Sequence, residues 1–180
     1  MRITLMRHAY AGPSIDGDPP EQDEEDDKRP LTAEGRKAAT AVAGRLKDDG
    51  FVPTKIYASP AVRTMQTAKI AGSILGAPVV KEPMLYLGGP VTLFLRRLAD
   101  EGEKRVMLVT HADVDQSLLK YLQADGSRIV DKFAMGEARV IDFDRDSLLW
   151  DERGRYLPSD SGLDDVYDHR GVIVSDGEVK

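Results

Sequence analysis

The 180-residue chain reads as an α/β protein, a three-layer α/β/α sandwich built on a mostly parallel central sheet. Three observations predict this class. Short apolar runs alternate with longer segments of helical period up to about residue 150. The run Arg105–Thr110 is the most continuously apolar, as expected of a central strand covered on both faces. Three of the strands lead on to a helix, two of them directly, which in a parallel sheet puts their ends on one carboxyl edge.

Each element has its own signal. Ile3–Met6 is a buried first strand that delivers Arg7 and His8, and a polar, Pro-rich loop follows from Ala11 to Arg29. Pro30-Leu31-Thr32 opens a helix with Thr32 as N-cap and Glu34 in the first turn. Its apolar face is Ala38, Ala41, Val42 and Leu46, and Gly50 stops it. Lys55–Ala58 is a second strand. Ser59-Pro60 then starts a helix, with Ser59 as N-cap and Pro60 at the first helical position, running to Gly76. Pro78–Lys81 is a third strand, Leu85–Pro90 a loop, and Val91–Glu101 a helix carrying Phe94, Leu95 and Leu98. After the central strand a helix covers Asp113–Leu122. Ala138–Asp144 alternates like an exposed-face or antiparallel edge strand, and Leu148–Asp151 pairs with it through a turn at Asp144–Ser147. Trp150 reads as a packing residue of that hairpin. The core domain is thus expected over residues 1–150. Residues 151–180 form a C-terminal extension to which the sequence assigns no role; from Arg153 on it is rich in Asp, Gly and Ser, His169 in it reads as a surface residue, and the apolar run Gly171–Val174 is not assigned to an element.

Composition narrows the function. Hydrophobic content of 41% with 31% charged residues is that of a soluble globular protein, and a net charge of −6 argues against nucleic acid as partner. Cysteine is absent, which removes disulfides, thiol nucleophiles and Cys-based zinc sites and is compatible with the cytoplasm. The N-terminal apolar run is too short for a signal peptide, and no stretch is long enough to span a membrane. Asp16–Asp27 gathers eight carboxylates, read as a solvated loop or as a flap that repels anions or docks on a basic protein.

The three junctions deliver residues of one chemical kind. The first supplies Arg7 and His8, the second Ser59, Pro60 and Arg63, the third Thr110, His111 and Asp113. Two arginines and two histidines converging at a sheet edge make a pocket for a phosphoryl group, because a guanidinium fork bonds two phosphate oxygens at once. A neighbouring guanidinium favours neutral imidazole, the form that attacks an electrophile. On this reasoning either His8 or His111 is a candidate nucleophile. Adjacent arginines disfavour a divalent cation, so no metal and no cofactor is expected.

The segments Leu5-Met6-Arg7-His8-Ala9, Ala58-Ser59-Pro60-Ala61-Val62-Arg63-Thr64-Met65-Gln66-Thr67-Ala68 and Val109-Thr110-His111 resemble, in order and spacing, the signatures of the histidine phosphatase superfamily. Arg29-Pro30-Leu31-Thr32-Ala33-Glu34-Gly35-Arg36 is similar to a further family segment. The resemblance covers roughly residues 1 to 145. The Arg-His-Ala form, the short length and the minimal cap are most similar to the small phosphohistidine phosphatase branch of this phosphoglycerate mutase-like fold.

The resemblance implies that His8 is the nucleophile and becomes phosphorylated, while Arg7, Arg63 and His111 bind the phosphoryl oxygens. Mutase and sugar-phosphatase members carry a glutamate as general acid in the loop after the third strand. Here that position falls near Tyr86-Leu87, and Glu82 comes too early. An alkoxide leaving group, with a conjugate acid of pKa roughly 15, demands a proton donor; an imidazole, of pKa about 6.5, does not. Asp113 is the candidate substitute acid. The expected substrate is therefore a phosphorylated protein histidine or another phosphoramidate. The alternatives are a phosphomonoesterase or mutase acting on a small metabolite, and, in another class, a non-catalytic phosphate-recognition module.

Overall fold

The computed structural model describes residues 1–12, 26–121, 132–144 and 149–158. Most of the acidic run, Leu122 of the helix expected over Asp113–Leu122, residues 145–148 of the expected hairpin, and the tail from 159 with His169 and Gly171–Val174 lie outside the described residues. The six strands are β1 (Arg2–Arg7), β2 (Lys55–Ala58), β3 (Val79–Lys81), β4 (Arg105–Thr110), β5 (Ala138–Asp144) and β6 (Leu149–Tyr156). The helices are α1 (Ala33–Asp48), α2 (Val62–Leu75), α3 (Val91–Asp100) and α4 (Ala112–Tyr121). Together the strands form one sheet in the order β3-β2-β4-β1-β5-β6. The first four are parallel, β5 runs antiparallel to β1, and β6 antiparallel to β5. Among the described residues no helix is long and apolar enough to cross a membrane.

Strand alternation feeds two cores. In β1 and β4, Ile3, Leu5, Val106 and Leu108 face α3 and α4, where Phe94, Leu98 and Leu118 are fully buried. Met6, Met107 and Val109 point the other way, onto Ala38, Val42 and Leu46 of α1 and Ala68 and Ala71 of α2. Small residues on α1 and α2 let both helices lie close to the sheet. The three-layer sandwich is as the pattern predicts.

The register matters for function. Arg7 lies opposite Thr110 and Ala58 opposite Val109, so the ends of β1, β2 and β4 are level. The Thr32 cap is made, its side chain accepting from the Gly35 N–H at 3.0 Å. The expected Ser59 cap is not. α2 starts at Val62 after Ala61, with no side-chain cap, because Ser59 still continues β2 through its N–H to the Val109 carbonyl at 3.1 Å. β5 is antiparallel as expected but not the edge, which belongs to β6. That strand crosses residue 150 and runs to Tyr156, so the first part of the expected extension is built into the sheet. Trp150 packs in the α3/α4 core, as the hairpin reading expects.

Candidate active site

The site is built where β1, β2 and β4 end. His8 follows β1, its N–H donating to the Thr110 carbonyl at 3.0 Å and its own carbonyl accepting from the Gly136 N–H at 3.0 Å. The ring is 7% exposed, and its Nδ1 lies 2.8 Å from the Ala9 carbonyl oxygen. A carbonyl only accepts, so this bond places the proton on Nδ1 and leaves a lone pair on Nε2. Burial, then the charges of Arg63, His111 and Arg7, press the His8 pKa down to about 3. His8 is a neutral imidazole of fixed tautomer.

The backbone that carries the ring is held by close packing from α1. A Cβ on Gly35 would lie 2.1 Å from the Tyr10 carbonyl oxygen, so only glycine lets the first helical turn approach the turn after His8. Thr67 of α2 braces the same turn, its hydroxyl accepting from the Ala9 N–H at 3.2 Å while donating to the Arg63 carbonyl at 2.8 Å.

The structure brings His111 and both arginines to this point. The His8 and His111 rings stand edge to face, centroids 5.4 Å apart. His111 Nε2 is 2.9 Å from the Ser59 hydroxyl, and its Nδ1 is 3.4 Å from Arg63 Nη2. Arg63 only donates, so Nδ1 of His111 is the acceptor and Nε2–H donates to Ser59. Burial and then Arg63 lower the His111 pKa to about 4. Tyr86, near which the family resemblance places a general acid in the sequence, stands edge-on against His111 with ring centroids 5.6 Å apart. Glu82 is committed elsewhere: its carboxylate accepts from the Met84 N–H at 3.0 Å and pairs with Arg97 at 2.5 Å. Asp113 lies on the exposed side of the first turn of α4, close enough for its charge to act on both Arg7 and His111.

The arginines differ in their partners. Arg7 Nη1 donates to the Phe133 carbonyl at 2.8 Å. Arg63 is clasped by Asp26, with Nη2 2.8 Å from the carboxylate and Nη1 on the Asp26 main-chain oxygen. The same carboxylate pairs with Arg29 at 2.5 Å. In both Arg7 and Arg63, Nε is buried and without a partner among the described residues. Such donors are unsatisfied until an acceptor arrives, and the oxygens of a phosphoryl group are acceptors. Among the described residues no three His, Cys, Asp or Glu side chains are grouped to hold a metal ion.

Residues 3–86 match the model of the histidine phosphatase superfamily (branch 1). A solved structure provisionally named phosphohistidine phosphatase SixA, from Nakamurella multipartitia, is 30% identical, with a TM-score of 0.62 over 78% of this chain and 83% of that one. The chain belongs to the histidine phosphatase superfamily. Within it, the phosphohistidine phosphatase SixA of Escherichia coli (strain K12) is 28% identical over 130 residues, 69% of this chain and 73% of the relative. The protein histidine phosphatase SixA complexed with tungstate shares the fold at a TM-score of 0.75 and 23% identity, over 89% of this chain and 99% of that one. This histidine phosphatase is thus SixA-like in architecture, and it is a phosphatase.

Three residues of the site region escaped sequence reasoning. Asp26 belongs to an acidic run that reads as a solvated loop or a flap, not as a partner of Arg63. Asp115, fully buried, accepts from the Thr110 hydroxyl at 2.6 Å, and burial pushes its pKa up to about 8. Glu137, with no exposed surface, accepts from the Arg7 main-chain N–H through its own carbonyl. Asp115 carries no local signal of its burial, since a carboxylate in a first helical turn is usually a surface residue.

Proposed function

We propose that this phosphatase hydrolyses phosphohistidine, or another phosphoramidate, through a covalent phosphohistidine on His8. The observation that carries the reading is the bond from His8 Nδ1 to the Ala9 carbonyl, which leaves Nε2 unprotonated beside two arginines. Nε2 attacks phosphorus, the P–N bond to the leaving imidazole breaks, and that imidazole takes a proton from solvent. Water then attacks the phosphoryl group, the Nε2–P bond breaks, and inorganic phosphate leaves. Arg7, Arg63 and His111 bind the phosphoryl oxygens and offset the charge that gathers on them. Tyr86 in the place of a general acid fits a leaving group that needs none. The relative named for phosphohistidine supports the same substrate class. No metal takes part in this scheme, so chelators leave the rate unchanged.

The deciding experiment is intact-mass analysis after rapid quenching without acid, using a phosphoramidate donor. Wild type gains one phosphoryl group transiently and His8→Ala gains none. An adduct that persists in His8→Ala moves the nucleophile to His111. Turnover of a phosphomonoester as fast as of a phosphohistidine peptide overturns the substrate class, and Asp113 then becomes the proton donor to test. Phosphate binding with neither adduct nor turnover would make the protein a recognition module.

A further inference from the structure

Arg7 and His8 are both held by one segment, residues 133–137, and that segment is tied down by a buried ion cluster. The Phe133 carbonyl accepts from Arg7 Nη1, the Glu137 carbonyl accepts from the Arg7 N–H at 3.0 Å, and the Gly136 N–H donates to the His8 carbonyl. Gly136 reaches this position with φ of +79°, and a Cβ there would stand 3.1 Å from Pro158. The carboxylate of Glu137 then organises the segment. One oxygen accepts from the Ala134 N–H at 2.7 Å; the other takes Arg139 Nε and Arg155 Nε, both at 2.7 Å. Arg139 also lies over the Phe133 ring, 4.1 Å from its centroid. The charges run in a chain from Arg155 on β6, through Glu137 and Arg139, to the residue whose carbonyl grips Arg7.

A buried carboxylate is costly unless paired, and a pair of arginines on one oxygen is more than neutrality requires. Such a network specifies one arrangement of the backbone around it. We propose that Glu137 and Arg155 are positioning residues for phosphoryl transfer: they hold the 133–137 segment so that Arg7 keeps its geometry. This rests on the reading of Arg7 as a phosphoryl ligand. It also gives the chain beyond residue 150 a part in the site.

The test uses Arg155→Met, because Arg155 is on the edge strand with its side chain 37% exposed, so the fold survives its loss. Glu137→Gln is the second variant; it retains an acceptor for the Ala134 N–H and loses the charge. Each is assayed well below its Tm for phosphoramidate hydrolysis and titrated with inorganic phosphate, alone and combined with Arg7→Lys. Expected is a fall in kcat/KM on the order of tenfold to a hundredfold, as for a misplaced binding group, and weaker phosphate binding. In the Arg7→Lys background the further loss is much smaller, since the group being positioned is gone. Losses that multiply with Arg7→Lys, or a lowered Tm with kcat/KM within about twofold of wild type, overturn the proposal. Phosphate titration separates its failure from that of the functional reading: a wild type inactive on every phosphoramidate but with Arg155-dependent phosphate binding sinks only the latter. Phosphate binding indifferent to Arg7→Lys sinks the positioning role.

Discussion

Two arginines share the phosphoryl pocket and are held in opposite ways. Arg7 is fixed by a neutral carbonyl on a segment anchored by the fully buried Glu137. Arg63, whose side chain is 3% exposed, is held by Asp26, a carboxylate whose side chain remains 36% exposed. A carbonyl orients a guanidinium without cancelling its charge. A carboxylate cancels much of the charge and competes with any anion that approaches. Arg7 is therefore preorganised with its charge available, whereas Arg63 is partly neutralised until Asp26 is displaced. Burial lowers the pKa of Arg7, and the charges of Asp115, Asp113 and Glu137 oppose that shift without pairing with the guanidinium as Asp26 pairs with Arg63.

This difference can be broken from either side. The largest effect is expected for Arg7→Ala, about a thousandfold in kcat/KM, the cost of removing a preorganised donor to the transferring group. Arg63→Ala should cost less, about a hundredfold, because part of its charge is already offset; steady-state kinetics on a phosphoramidate ranks the two, and the reverse order refutes the distinction. Next comes Asp26→Asn. It leaves Arg63 uncompensated and should tighten inorganic phosphate binding by about threefold to tenfold at low salt, with the gain shrinking as ionic strength rises. Calorimetric titration at two salt concentrations checks it; weaker binding in the variant would mean that Asp26 serves to hold Arg63 in place.

The histidines give a pH signature of the pocket. His8 and His111 titrate at about 3 and about 4 in the fold, against 6.5 unfolded. Lowered imidazole pKa values mean that the unfolded chain takes up protons first as pH falls. The fold therefore loses stability from about pH 6.5 down towards pH 4 and 3, and above 6.5 these two groups contribute no slope. Thermal unfolding across that range should show it, and His8→Ala should reduce the slope by up to one proton. An unchanged slope would contradict the depressed His8 value. The smallest effect is expected far from the pocket. The Tyr156 hydroxyl donates to Asp49 at 2.7 Å and ties β6 to the end of α1. Tyr156→Phe should cost about 1 kcal/mol of stability and leave kcat/KM intact. Set beside Arg155→Met, one residue away, it separates a strand that merely packs from one that positions Arg7.

Much of the site was legible because its residues follow strands. Arg7, His8, Ser59 and His111 directly follow or end their strands, and Arg63 lies at the opening of α2, so strand assignment alone brought them to one edge. The Thr32 cap was legible because capping is local. Ser59 shows where local reading fails. Serine before proline is a helix-start signal, but the tertiary fold offered its hydroxyl a histidine and its N–H a place in the sheet ladder. The cradle for Arg7 was illegible for a related reason. Phe133 lies 126 residues from Arg7, and nothing around either residue announces the other.

The sequence by itself determined the element order, the parallel core and which residues gather at its carboxyl edge, because periodicity and strand ends are short-range properties. Tertiary structure decided the rest. The Ala9 carbonyl selected the His8 tautomer, Asp26 was brought onto Arg63, and β6 was laid so that Arg155 reaches Glu137. Hydrogen bonds and buried charges depend on distances of a few tenths of an ångström between residues far apart in the chain, and only the packed sheet and helices fix those distances.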